Sequence, residues 1–277
     1  MSTNENKGKK AEVTALQAIS AEDRKDWISL AFVQAGICVC VPAFLLGALL
    51  AEAMPIWPAI ISGSLGYLIV VVGMVATGMI GCDLGLASCT CCQAGFGKSG
   101  ARFIVSTIFA VNMIGWFGIQ NGVCGEAFSN AMLAMTGWDI PVVVSNTIWG
   151  IIMLLTAVYG VHALEKLDKI SIPLLMIIMC YGTFLAFKVY GTGNLNDEGT
   201  VQSMSFMSGV ALSFNFTAVG TITGPDYTRF QKSRKDTVKS VFYGVFPMGV
   251  ITLIMGIVLT KLSGQYDISM VLIEVGL

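Results

Sequence analysis

Long apolar runs alternate with short polar connections along nearly the whole chain. Seven such runs occupy residues 27–51, 55–82, 103–124, 141–163, 168–190, 205–224 and 237–262. Each has the ~20 residues that span ~30 Å of hydrocarbon at ~1.5 Å rise per residue, so each predicts a transmembrane helix. The pattern divides the chain into a polar tail at 1–26, a membrane domain at 27–262 and a closing segment at 263–277.

Composition sharpens this picture. Hydrophobic residues make up 55% of the 277 positions and charged residues 12%. With a mean hydropathy of +0.76, these values exclude an ordinary soluble domain and point to an all-α integral membrane protein in contact with the lipid bilayer. The net charge of −1 offers nothing to nucleic acid. Placement of the 16 basic residues says more: fourteen flank one side of the spans and two, Lys188 and Lys261, the other. Lys/Arg bias sets orientation, so the N-terminus is expected in the cytoplasm of a multi-pass protein of the cell (inner) membrane, with 263–277 extracytoplasmic. Residues 1–26 have no apolar core, which predicts a cytoplasmic tail rather than a cleaved signal.

Chemistry carried by cofactors or metals finds little support. Of eight cysteines, Cys38, Cys40, Cys124 and Cys180 fall within or at the ends of apolar runs, where a thiol behaves as a small hydrophobe. Cys82, Cys89, Cys91 and Cys92 share one connection, but their spacing lacks the paired C-x2-C arrangement of structural zinc sites. Inert thiols are the expectation. Gly95-Phe-Gly-Lys-Ser99 has Cys92 where a phosphate loop needs its first glycine. His162, the only histidine, lies at an expected helix end beside Glu165 and Lys166. A retinal Schiff base would need a lysine in the middle of the seventh run, whose lysines stand at its two ends. No paired His/Asp/Glu set lies inside the runs, so neither an enzyme nor a bound cofactor is expected.

Three runs carry features that a lipid-facing helix does not need. The first contains Gln34, Gly36, Cys38, Cys40 and Pro42; the sixth carries Ser213, Asn215, Thr217, Thr221 and Thr223 and ends at Gly224-Pro225. Interrupted helices at corresponding places in two halves point to a transporter's midplane site, where unwound backbone offers carbonyls to a cation and N–H groups to a substrate. The same residues also suit back-bonding and close helix packing, and both readings stay open. In the third run Trp116 stands about fourteen residues deep, too far in for an interfacial anchor, between Gly115 and Gly118. A ring stacked on that indole and a helix-packing tryptophan are equally compatible with this placement.

At Gly115-Trp-Phe-Gly118, Gly220-Thr-Ile-Thr223 and Asp226-Tyr-Thr-Arg-Phe230 the chain resembles the nucleobase–cation symporter family, with the bacterial cytosine permeases its nearest branch. Tyr266-Asp-Ile-Ser269 is similar to the segment before the eighth helix of those permeases, and the resemblance runs from about residue 28 to the last residue. It implies a leucine-transporter-like fold of two inverted repeats, here incomplete with seven transmembrane helices. It implies import of a nucleobase, such as cytosine or a related pyrimidine or purine, by alternating access, driven by sodium or protons and by a monomer when full length. The family's aromatic sandwich maps onto Trp116 and Phe216, and its polar contacts onto Asn215 and Thr217. Its sodium-ligating carbonyls map onto Gly36 and Cys40.

Departures from the family pattern matter. A glutamine three residues before the tryptophan is Met113 here, with Asn112 adjacent as a substitute, and two serines of the sixth helix are Asn215 and Ala218. Changing the polar groups changes which ring edge is satisfied, at ~1–3 kcal/mol per unpaired group. The chain reaches Leu277 before the eighth helix that supplies Asn and Thr ligands in the family, so a fragment of a longer permease is expected. The alternative is a truncated, non-transporting subunit that associates with another membrane protein. No Asp or Glu lies in the middle of a run, which favours sodium over protons as the coupling ion.

Overall fold

The computed structural model describes residues 16–158, 161–192, 195 and 203–276, without side chains between 161 and 168. Most of the 1–26 tail, most of the 191–204 connection and the His162 side chain therefore lie outside the described residues. Among those described, every named element is a helix.

The first apolar run folds as two half-helices, α1 (Trp27–Cys38) and α2 (Val41–Ala53), bent by 51°. Pro42 has no N–H to give the Cys38 carbonyl, and the chain turns extended at Cys40 (φ −147°, ψ 155°), which interrupts the ladder. Helix α3 (Ile56–Leu84) follows and stops at Gly85, whose φ of 65° only glycine adopts cheaply. Two short helices, α4 (Ser88–Cys91) and α5 (Gln93–Gly100), lead through a π-helical turn at Ala101–Val105 into α6 (Ser106–Thr136). Then come α7 (Val142–Val158), α8 (Val161–Tyr190), α9 (Phe206–Thr217), α10 (Val219–Thr228), α11 (Arg234–Ser263) and the short α12 (Ile268–Glu274).

Helix ends differ from the ends of the apolar runs. The helix of the third run, α6, continues to Thr136, past the expected end at 124 and through Glu126. Residues 164–167, expected between two runs, belong to α8. The sixth run extends to Thr228 and the seventh begins at Arg234. Hydropathy marks only where a helix meets hydrocarbon, and a hydrogen-bonded helix continues beyond that boundary until a cap or glycine ends it.

α11 is the hub: it packs on α1, α2 and α3, and α3 in turn packs on α9 and α10. Leu46, Leu50, Tyr67, Met74, Leu253 and Ile257 form the fully buried centre of this bundle. Small residues let the backbones close in, since a Cβ on Gly256 would overlap the Phe44 carbonyl and one on Gly47 the Leu253 carbonyl. Hydroxyls then bolt the sixth span to α3. Ser213 Oγ donates to the Gly63 carbonyl at 2.7 Å, Thr228 Oγ1 to the Gly78 carbonyl at 2.7 Å, and Thr77 Oγ1 to the Thr221 carbonyl at 2.7 Å. α6 and α7 form a separate hairpin, joined by a 2.8 Å Ser129–Ser145 hydroxyl contact.

The basic end of the bundle is stitched together by the segment before α1 and the segment after α10. Lys25 N–H donates to the Phe230 carbonyl, Arg24 Nη1 to the Gln231 carbonyl at 2.9 Å, and Lys232 pairs with Asp26. Within Asp226-Tyr-Thr-Arg-Phe230, Asp226 accepts both the backbone N–H and the hydroxyl of Ser88, capping α4 from outside. Much of this motif therefore holds the connections after α3 and α10 in place.

Candidate substrate cavity and the broken first helix

One cavity of about 190 Å³ lies where the α1–α2 break faces α6, α9 and α10. Ile37 and Cys40 line it from the break, Met113, Trp116 and Gln120 from α6, and Phe216 and Thr217 from α9. Val219, Thr223 and Tyr227 of α10 complete it. Residues 113, 116 and 120 stand three and four apart, so the helical repeat alone places them on one face. No lining residue carries a formal charge, and the volume falls below the ~300–1,000 Å³ of drug-sized sites. Such a cavity suits a small, neutral molecule.

Trp116 and Phe216 touch edge to face, with centroids 5.2 Å apart and planes at 88°. A flat ring between two parallel faces needs them about 7 Å apart, twice the ~3.5 Å contact distance. The two aromatic groups thus meet at one point, closed upon each other, and must part and rotate to hold a ring. Gly115 and Gly118 do not shape this contact: a Cβ at either position meets nothing within 4 Å among the described residues.

The other residues singled out by sequence divide. Thr217 lines the cavity while its hydroxyl donates to the Ser213 carbonyl at 2.9 Å, and Cys40 lines it from the break. Asn215 and Asn112 are exposed and lie outside the lining. Asn215 stands about 200° around the helix from Thr217, so it turns away from the face that Phe216 and Thr217 share. Gly36 sits on the last turn of α1, half-buried and also outside the lining. The Cys40 carbonyl accepts the Ala43 N–H at 3.0 Å, leaving its second lone pair as the one open to a cation. The Cys40 thiol donates to the Ile37 carbonyl, with the Gln120 side chain within hydrogen-bonding reach of the sulfur.

Gln120 is a lining residue that sequence reasoning passed over. It is the only amide side chain in the lining, and the available signal was its position one turn after Trp116. The sixth span also differs from the expected interruption. Ala218 keeps helical dihedrals (φ −55°, ψ −30°), and Thr221 N–H donates to its carbonyl at 3.0 Å, so the joint is a tightened turn rather than an unwound stretch. Most of the span's hydroxyls are spent on α3 or on their own helix.

Comparisons with known proteins agree with this architecture. The sequence profile of a family described as "Permease for cytosine/purines, uracil, thiamine, allantoin" matches residues 19–275. The cytosine permease of Escherichia coli K12 is 28% identical over 258 residues, covering 92% of this chain and 59% of that protein. A purine-uracil permease, NCS1, of Arabidopsis thaliana is 25% identical over 247 residues, covering 79% of this chain and 41% of that one. The chain thus spans about three fifths of the length of the cytosine permease. Among solved structures, Mhp1, a nucleobase-cation-symport-1 family transporter in a closed conformation with bromovinylhydantoin bound, superposes with a TM-score of 0.83. Identity there is 18%, with 94% of this chain and 60% of that one covered.

Proposed function

This multi-pass membrane chain belongs to the family of permeases for cytosine/purines, uracil, thiamine and allantoin, and from that premise we propose that it serves the cation-coupled import of a nucleobase such as cytosine. The observation that carries the proposal is the uncharged cavity in which Trp116, Phe216, Thr217 and Cys40 meet beside a broken helix. The base stacks between Trp116 and Phe216 once the rings part. Thr217 and Gln120 supply polar contacts to its edge; Asn112 and Asn215, outside the cavity in this conformation, are assigned none. Sodium is taken as the coupling ion, held by the carbonyls of Gly36 and Cys40, since a hard cation wants oxygen donors. The basic side, with the N-terminus, faces the cytoplasm. Binding favours the occluded state, and ion movement down its gradient drives the rocking of the bundle.

Uptake of radiolabelled cytosine by cells lacking their own route, with sodium or choline outside, tests the reading. Trp116→Ala is expected to abolish saturable uptake. Normal uptake by that variant removes the stacking assignment, and equal uptake in choline removes sodium.

A second reading is association with another membrane protein, favoured by α6, whose most apolar stretch has no buried residue and leaves Asn112 exposed. Co-purification of a stoichiometric partner supports it; a monodisperse monomer that takes up cytosine refutes it.

A further inference from the structure

Away from the substrate cavity, a groove of about 180 Å³ runs between α1 and α11 at the basic end of the bundle. Trp27, Ala31 and Ala35 line one wall and Tyr243, Gly244 and Met248 the other. Gly244 makes the floor: a Cβ there would press on the Ala31 backbone at 2.6 Å, so the two helices touch below and part above. From Trp27 to Ala35 the groove extends ~12 Å along the helix, most of one leaflet's ~15 Å of hydrocarbon. Its deep end closes on the small cluster of Ala35, Val39 and Ile172, against which Met248 packs. Its flanks stay open, with Ile28 54%, Phe32 41% and Tyr243 56% exposed.

The mouth has the opposite chemistry. Lys239 Nζ stands 5.8 Å over the Trp27 ring, which itself leans on Tyr243 at 6.0 Å. Lys235 lies one turn earlier on α11 and is exposed. The acids nearest this mouth in sequence are already engaged: Asp26 pairs with Lys232, and Asp236 accepts the Ser233 hydroxyl in the α11 cap. An apolar trough that takes up most of a leaflet, an aromatic rim at its boundary and two lysines above it match one molecule in all three parts.

We infer that the α1–α11 groove is a seat for an anionic phospholipid, with one acyl chain along Ala31, Ala35 and Gly244 and the phosphate at Lys239 and Lys235. The lipid bears on α1, the half-helix that ends at the Val39–Cys40 break, and so reaches the element from which the cavity is built. The inference does not depend on what the cavity carries.

The test uses the purified chain in neutral detergent, with native mass spectrometry counting retained molecules. Phosphatidylglycerol, phosphatidylcholine with the same acyl chains, and glycerol phosphate are the probes. Phosphatidylglycerol is expected to be retained at least tenfold over phosphatidylcholine, and glycerol phosphate not at all. Lys239→Gln lowers phosphatidylglycerol retention about fivefold, and Lys235→Gln with Lys239→Gln lowers it further toward the phosphatidylcholine level. Both substitutions are at exposed positions, so the thermal midpoint of the lipid-free protein stays put and reports intact folding. Equal retention of the two lipids, undiminished retention in the double variant, or binding of glycerol phosphate comparable to the lipid would each overturn the assignment.

Discussion

α11 and α6 are almost equal in length, 30 and 31 residues, and α11 by itself and α6 with the helical turns that lead into it from Gln93 are apolar enough to cross a membrane, yet they are held in opposite ways. Half of the most apolar stretch of α11 is buried, and none of that of the helical segment Gln93–Thr136 that contains α6. Along α11, Gly244, Gly249 and Gly256 are met respectively by the Ala31 backbone, the Tyr67 ring and the Phe44 carbonyl. Along α6, Gly115, Gly118 and Gly122 face no described atom within 4 Å. Only Gly125 on α6 is met, by Asn146 of α7, so glycine is a contact surface along α11 and, on α6, where the hairpin closes, while the stretch around Trp116 leaves its glycines unfilled. Apolarity thus tells that a helix belongs in the bilayer, and says nothing about whether lipid or protein surrounds it.

The strongest break of this comparison comes from glycine substitutions. Gly256→Val drives a side chain into the Phe44 carbonyl, backbone that cannot yield. Loss of about 3 kcal/mol or more is expected, seen as disappearance of the monodisperse peak in detergent gel filtration. Gly115→Ala, in contrast, should move the thermal midpoint by no more than ~0.5 kcal/mol equivalent. A destabilised Gly115→Ala would show that α6 is covered in the folded protein and would end the contrast.

Hydroxyl removal gives a smaller, sharper version. Ser213→Ala deletes the donor to the Gly63 carbonyl inside the bundle, for a loss of ~1 kcal/mol in thermal or denaturant unfolding. Thr107→Val on α6 removes only a back-bond to the Phe103 carbonyl at an exposed position, and should leave the midpoint unchanged. Equal losses would mean that intrahelical bonds, not the α3 contact, set the cost.

The smallest expected effect lies in the connection that leads from α3 of the buried bundle to α6. Burial first, and then neighbouring negative charge including Asp226, push the Cys91 and Cys92 thiols above their ordinary values. A raised value means less thiolate at neutral pH, so both should alkylate more slowly than free cysteine and catch up as the pH rises. Fast labelling at pH 7 by mass-spectrometric peptide counting would show this connection detached from α10.

The lining of the candidate cavity was legible in part, for physical reasons that differ residue by residue. Trp116 was visible because an indole so deep in an apolar run has no interfacial role, and Phe216 and Thr217 came with the family motif of the sixth span. The break at Cys40 was foreshadowed by Pro42, since a missing N–H interrupts a helix wherever it stands. Gln120 was not seen because a glutamine in an apolar helix carries no sign of which face it occupies until the neighbours are known. Asn215 was expected at the ring's edge, but the helical repeat that points Phe216 inward turns Asn215 away. The polar residues of the sixth span read equally as site or as packing, and the structure spends Ser213 and Thr228 on carbonyls of α3.

Composition and hydrophobic spacing determined by themselves that this is an all-helical membrane protein, and the motifs determined its family, because apolar length and proline position act locally on the chain. Which helices form the buried bundle, which stays open, and which side chains meet in one cavity were decided only by tertiary structure. Those outcomes depend on close approach between backbones more than a hundred residues apart, as at Gly256 and Phe44, and no local pattern encodes the distance between them.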